Sequence, residues 1–281
     1  MNTLLSYGHG YSAQALAHKL LPLGWRIIGT TRSTEKADHL KSIGIEPLLT
    51  PDDDLKPALD AATHLLISAG PSVDGDPMLN RWADDVTRVA GKLKWAGYLS
   101  TTGVYGDHKG GWVDEETPLA PSTRRGQWRK DAEAAWRDVP DLPLHIFRLA
   151  GIYGPGRGPF AKVRAGTARR IIKDGQVFSR IHVDDIAQVL EASIRRPAPV
   201  RTYNLCDNDA APPQDVIAFA AELLGVPVPE AIAYEDAEMT PMARSFYAES
   251  KRVRNDRIKD ELGVELLYPD YRTGLRALMD C

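Results

Sequence analysis

The first thirty-two residues confine this chain to few folds. LLSYGHG is an apolar run that breaks at glycine, and WRIIGTTR is a second apolar run some twenty residues on. Between them, SAQALAHKLL places Ala13, Leu16, Ala17, Leu20 and Leu21 on one side of a helix, and Pro22 and Gly24 stop it. Strand, glycine turn, helix, strand is a βαβ unit. Gly8, Gly10 and Ala13 fit G-x-G-x-x-G/A at the turn that opens the helix. Gly8 permits the tight turn, Gly10 lets a pyrophosphate approach the backbone, and Ala13 lets helix and strand pack closely. The N–H groups at the helix start, on Tyr11, Ser12 and Ala13, favour a phosphate.

An NAD site of this kind carries an acid at the end of the second strand, bonded to the ribose 2′-hydroxyl. Thr31, Arg32 and Ser33 stand there instead. Arg32 offers a fork suited to a 2′-phosphate, with two hydroxyls beside it, so NADP is expected over NAD.

Further along, IEPLL, THLLISAGP, WAGYLST and LPLHIFRL read as strands separated by helical patterns, including one around Arg124 to Arg137. That alternation predicts a Rossmann-type, doubly wound parallel sheet. The fourth strand ends in Ser68, Ala69 and Gly70, small residues at the end of a parallel sheet where ligands lie, and these are expected to line the cofactor crevice. Past residue 155 the rhythm changes, as in a smaller α/β substrate side. Residues 1–155 are expected to form the nucleotide domain, with 181–207 returning to it, and 156–180 with 208–281 the smaller domain. The basic stretch SKRVRNDRIKDELG mixes cations with acids and places Val253, Ile258 and Leu262 at helical spacing, which reads as the exposed face of a surface helix.

A formal net charge of -3 gives no field for nucleic acid or an anionic membrane. Cys206 and Cys281 are too few for a disulfide framework and lack metal-site spacing. The N-terminus is a core strand and no apolar run is long enough to span a membrane, so a cytoplasmic protein is expected.

Several segments together, SYGHGYSA, YLSTTGVYGD, FRLAGIYGPGRGPF, RIHVDDIA and YNLCD, resemble the extended short-chain dehydrogenase/reductase family, the epimerase and dehydratase group, across nearly the whole chain. The resemblance implies an NAD(P)-binding Rossmann domain, a C-terminal substrate domain, and a loop from Ala150 through Gly151 and Ile152 to Pro155 that passes the nicotinamide. It places Thr101 at the family's catalytic Ser/Thr, with Thr102 beside it. The family's Tyr-x-x-x-Lys pair is absent. If Glu133 matches the glutamate that follows the lysine, the pair's positions hold Arg125 and Arg129; if Lys130 is the lysine, the tyrosine position is Gly126. Arginine stays protonated and makes a poor proton shuttle. The chain therefore resembles an atypical member of the group.

Tyr105, the phenol nearest Thr101 in sequence, is a candidate for the acid role. Tyr153, beside the nicotinamide loop by resemblance, Thr102, Arg125, Arg129 and Arg157 are candidates for binding an anionic small-molecule substrate. His182 with Asp184 and Asp185 is, by resemblance, a structural joint, and no metal site is expected. Trp82, Trp128 and Trp136 lie on helices that commonly form a dimer interface in the family, which points to a homodimer. Two functions fit: an NADP(H)-dependent oxidoreductase acting on a carbonyl, alcohol or sugar-nucleotide substrate, or a non-catalytic NAD(P)-binding sensor or scaffold.

Overall fold

The computed structural model describes residues 1–196, 198 and 200–279, and only the backbone of Met242; Cys281 lies outside the described residues. Its centre is a seven-stranded parallel sheet. The strands are β1 (Thr3–Tyr7), β2 (Arg26–Thr31), β3 (Glu46–Leu49), β4 (His64–Ile67), β5 (Trp95–Thr101), then Leu144–Leu149 and Arg201–Leu205. From edge to edge the order is Arg201–Leu205, Leu144–Leu149, β5, β4, β1, β2, β3. The chain builds outward from β1 to β3, then returns to β1's other side at β4. That reversal opens a crevice beyond the carboxyl ends of β1 and β4, the place where such sheets take ligands.

Alternation along each strand feeds two layers. Leu4 of β1 belongs to one core and Leu5 to the other. The first layer is closed by α1 (Tyr11–Leu20), whose Ala13, Leu16, Ala17 and Leu20 are buried, and by the helix Val183–Arg195. The second is closed by α3 (Lys56–Ala61), α4 (Leu79–Ala90) and α5 (Arg124–Arg137). The remaining sheet-side helix, α2 (Thr34–Ser42), buries Ala37 and Leu40. Each fully buried leucine contributes about 1.5–3 kcal/mol, so these stripes suffice to hold the helices on the sheet.

The C-terminal residues build a separate small core from Tyr153, Phe160, Val163, Val216, Ala220, Tyr271 and Leu275. The helices Pro213–Leu223 and Tyr271–Ala277 carry much of it, and the short parallel strands Gly151–Tyr153 and Arg180–His182 join it to the sheet end.

Two expectations need correction. The stretch 250–263 is not a surface helix: Arg252–Val253 pairs in parallel with Trp112–Val113, and only Asp256–Asp260 is helical. Val253, Ile258 and Leu262 pack into the first core, and Asn255 Nδ2 donates to the Cys206 carbonyl and to Asn208 Oδ1. The tryptophans, too, serve the core. Trp136 is fully buried, 6.2 Å from the Tyr98 ring, and Trp82 is 8% exposed; only Trp128 is half-exposed. No helix among the described residues is long and apolar enough to cross a membrane.

Candidate functional site

The glycine turn shows two glycines retained for different reasons. Gly8 has φ +78°, and a Cβ on it would lie 2.6 Å from the Ala69 nitrogen, so the fold itself requires glycine. Gly8 N–H donates to Thr30 Oγ1 (2.7 Å) and His9 N–H to the Thr30 carbonyl (2.9 Å), which locks the turn onto β2. Gly10 is different. Its backbone is ordinary extended (φ -107°), and a Cβ there would meet only the Gly8 carbonyl, at 3.6 Å. Gly10 precedes α1, whose first turn has no side-chain cap. The space above Gly10 is thus kept open in front of bare helix N–H donors. That is the shape and charge a diphosphate needs.

Tyr11 ties this turn to the GPGRG loop. Its hydroxyl donates to the Pro155 carbonyl (2.9 Å), and the Arg157 guanidinium lies 5.8 Å over its ring. Tyr7, at the end of β1, donates its hydroxyl to the Pro77 carbonyl.

His9 sits inside the turn with both ring nitrogens buried and unbonded. Burial, with Lys36 and His18 adding repulsion, pushes its pKa from 6.5 down to about 4. The unfolded chain therefore takes up a proton below pH 6.5 that the folded turn refuses until about 4. Stability from this residue is full above pH 6.5 and is lost as the pH falls to 4. Urea midpoints of the wild type should fall over that window more than those of His9→Leu; parallel curves would contradict it.

At the far end of β2, Thr31 is buried and its Oγ1 accepts from Ser33 N–H, while Ser33 Oγ caps α2 by accepting from Lys36 N–H. Both hydroxyl oxygens serve the local backbone. Arg32 stands exposed between them.

Beyond the turn opens a cleft of about 1160 Å³. Gly8, Gly10, Tyr11, Ser12 and Ser68 line one end, and Thr101, Thr102, Ala150, Gly151, Ile152 and Tyr153 the middle. Ala69 packs behind Gly8, and Gly70 lies beside Arg129. Thr101 ends β5 and caps the turn Thr102–Tyr105 by accepting from Gly103 N–H (3.1 Å).

The packing of α5 places the positions of both registers. A Cβ on Gly126 would stand 2.8 Å from the Gly103 carbonyl, so α5 meets the β5 turn closely at that point. Arg125 and Arg129, one helical turn apart, both line the cleft. Arg129 Nη1 donates to the Leu99 carbonyl (2.5 Å) and Tyr98 Oη (3.2 Å). Lys130 turns aside to the Leu119 carbonyl. Of the positions in the two registers, Arg125, Gly126 and Arg129 line the cleft and Lys130 does not.

Tyr105 is not at the cleft. It is fully buried, donates to Asn204 Oδ1 (2.7 Å), accepts from Arg148 Nη1 (2.9 Å), and is pushed by burial up to about 12. It belongs to a polar network beneath the site. Ser100 Oγ donates to Glu133 (2.5 Å), and Glu133 receives Arg148 Nη2 (2.8 Å) with both side chains almost wholly enclosed. Tyr153 lines the cleft, but not with a free phenol. Its hydroxyl is buried and unbonded, packed against Gly274, and burial with neighbouring aspartates drives its pKa upward.

His182 caps the helix Val183–Arg195, its Nδ1 accepting from Asp184 N–H, and Asp185 accepts from Leu267 N–H and Tyr268 N–H. Both are joints. Among the described residues no group of three or more His, Cys, Asp or Glu is placed to hold a metal ion.

Two cleft residues escaped the sequence. Lys251 is 8% exposed, and its Nζ donates to the Gly106 carbonyl (2.7 Å) and Glu249 Oε2 (2.6 Å). Arg180 lines the C-terminal end, its Nη1 held by the carbonyls of Phe178 and Ala211. With them the cleft carries Arg124, Arg125, Arg129, Arg157, Arg180 and Lys251 against one acid, Glu249, already paired with Lys251. A chain of net charge -3 thus concentrates positive charge in its main cavity, which favours anions there.

No family model matches the chain. It is 29% identical to Protein YeeZ of Escherichia coli K12, covering 96% of this chain and 97% of that protein. Among solved structures it is similar to a conserved protein of unknown function from Silicibacter pomeroyi DSS, at 60% identity over 100% of this chain and 99% of the other, with a TM-score of 0.97. A protein of Methylobacillus flagellatus assigned to the NAD-dependent epimerase/dehydratases is 25% identical, with 99% and 98% covered and a TM-score of 0.74. The fold alone is shared with a human epimerase family protein solved with NADPH (16% identity, 99% of each chain covered, TM-score 0.76). It is also shared with dTDP-glucose 4,6-dehydratase of Bacillus anthracis, solved with NAD (19% identity, 100% and 96% covered, TM-score 0.77).

Proposed function

We infer that this chain, a member of the extended short-chain dehydrogenase/reductase family in its epimerase/dehydratase group, binds a nicotinamide dinucleotide across the glycine turn, with NADP preferred over NAD. The observation that carries this is Gly10: the fold tolerates a Cβ there, and a diphosphate on the α1 N-terminus does not. Gly8, Gly10, Tyr11, Ser12 and Ala13 would hold the diphosphate. Arg32 would hold a 2′-phosphate, and Ser68, Ala69, Gly70, Ala150, Gly151 and Ile152 would border the nicotinamide side. Residues 1–155 with 181–207 would form the cofactor domain, to whose core Val253, Ile258 and Leu262 return, and 156–180 with the rest of 208–281 the substrate side.

The bound nicotinamide supplies or accepts a hydride. The chain's own part is to orient a small anionic carbonyl, alcohol or sugar-nucleotide substrate. Thr101 would hold the reacting oxygen, Arg125, Arg129 and Arg157 the negative charge, and Thr102 and the Tyr153 ring the wall. With Tyr105 sealed away, the proton for such a reaction comes from water.

One observation favours the second function, a sensor or scaffold: both positions of the family's proton-shuttling pair carry groups that do not release a proton at neutral pH. A reductase screen with NADPH over aldehydes, ketones and sugar nucleotides separates the two, turnover meaning an enzyme and bound cofactor without turnover a sensor. The cofactor preference rests on Arg32. Arg32→Ala should weaken NADPH about tenfold or more and leave NADH unchanged, as loss of a charge-assisted contact to phosphate requires; equal losses for both would refute the preference. A homodimer through the outer faces of α4 and α5 is part of the same proposal, and sedimentation showing only monomer at micromolar concentration would remove it.

A further inference from the structure

We propose that Arg125 and Arg129 form a carboxylate-binding subsite in the middle of the cleft, so that the ligand taken beside Thr101 and Thr102 is a small carboxylic acid. The dinucleotide reading enters only in calling this place the nicotinamide side.

The two guanidiniums differ in a useful way. Arg129 is fixed. Its Nη1 is spent on the Leu99 carbonyl and Tyr98 Oη, its charge lies over the Tyr98 ring at 5.5 Å, and a Cβ on Gly70 would be 3.3 Å from Nη2. A guanidinium has five N–H donors in one plane, so Nε and Nη2 keep their own protons for other acceptors. Arg125 is exposed in the same cleft wall, one turn earlier on the same face of α5, and among the described residues neither arginine forms a salt bridge. One anchored fork and one free fork on a single helix face offer unspent N–H donors to an oxyanion in the cleft.

The neighbours supply what such a group needs. Thr101 and Thr102 line the same cleft, and the close contact of Gly126 with the Gly103 carbonyl holds α5 against their turn. No aspartate lines the cleft, and its one glutamate, Glu249, is neutralised by Lys251. Each fork can take the two oxygens of a carboxylate in a bidentate pair. The same forks can take phosphate or sulfate, and the test separates them.

The experiment is calorimetric titration of the full chain, with and without saturating NADP, using malonate and oxalate as probes, phosphate and sulfate as charged controls, and acetamide as the neutral one. Malonate should bind the wild type more tightly than phosphate or sulfate, and acetamide should not bind. Arg125→Gln should weaken malonate about tenfold or more, and Arg125→Lys should recover only part of that loss, because charge returns without the fork. Arg195→Gln, which removes an exposed arginine paired with Glu191 far from the cleft residues, should change nothing. No malonate binding, binding unaltered in Arg125→Gln, or phosphate equal to or tighter than malonate each overturns the proposal. The NADP titration is read separately, so failure of NADP with Arg125-dependent malonate binding overturns the dinucleotide reading and leaves the subsite standing.

Discussion

An Arg148→Ala variant is expected to unfold with about 3–5 kcal/mol less stability than the wild type, the range for stripping one partner from a buried ion pair. Arg148 and Glu133 have side chains 4% and 1% exposed, with Nη2 2.8 Å from Oε2 and Nε shared between both carboxylate oxygens. Removing the guanidinium leaves that carboxylate with only the Ser100 hydroxyl, and takes from Tyr105 one of its two partners. The cost is desolvation without compensation, and it exceeds any single contact the arginine makes. Arg148→Met combined with Glu133→Leu removes both charges and should recover much of the loss, since well-packed apolar side chains often replace such a pair with little penalty. Urea unfolding followed by circular dichroism measures both. A single variant within about 1 kcal/mol of wild type would show that water reaches the pair, against the enclosure described here.

Gly10→Val is expected to reduce NADPH affinity about a hundredfold or more while leaving the fold nearly intact, because a branched side chain fills the approach that the glycine keeps open. The backbone there is extended and a Cβ meets only the Gly8 carbonyl at 3.6 Å, so the first carbon of the side chain enters without a clash. The thermal midpoint should fall only by the cost of an apolar N-cap, about 1 kcal/mol. Gly8→Ala is the contrast. With φ +78° and the Ala69 backbone 2.6 Å from the new carbon, it should lose stability whether or not a cofactor is present. If Gly10→Val binds NADPH as the wild type does, the open space at Gly10 has no connection with a dinucleotide.

What the sequence could and could not show follows from the range of each contact. The βαβ unit, the first six strands of the sheet and α5 are written in local periodicity, and all lie where periodicity places them. Residues whose environment is set at long range were misread. GVYG gives no sign that Tyr105 bonds to Asn204, 99 residues away, and so leaves the cleft for the core. SKRVRN has the composition of a solvated face, yet Lys251 is bonded to Gly106, 145 positions earlier, and Val253 pairs with Val113. Trp82 and Trp136 are apolar on helices that meet the sheet, and a sequence cannot tell the inner stripe from an outer interface when large residues occur on both. Between those extremes lies the register of the missing pair, which the sequence leaves open: Arg125, Gly126 and Arg129 line the cleft, while Lys130 is bonded to the Leu119 carbonyl.

The claim on which the functional account stands is that the turn from Gly8 to Ala13 seats the paired phosphates of a nicotinamide dinucleotide. Isothermal titration of the unmodified protein with NADPH and, separately, with NADH tests it most directly. The account predicts one-to-one binding of NADPH, tighter than that of NADH; heats of mixing alone from both coenzymes would contradict it.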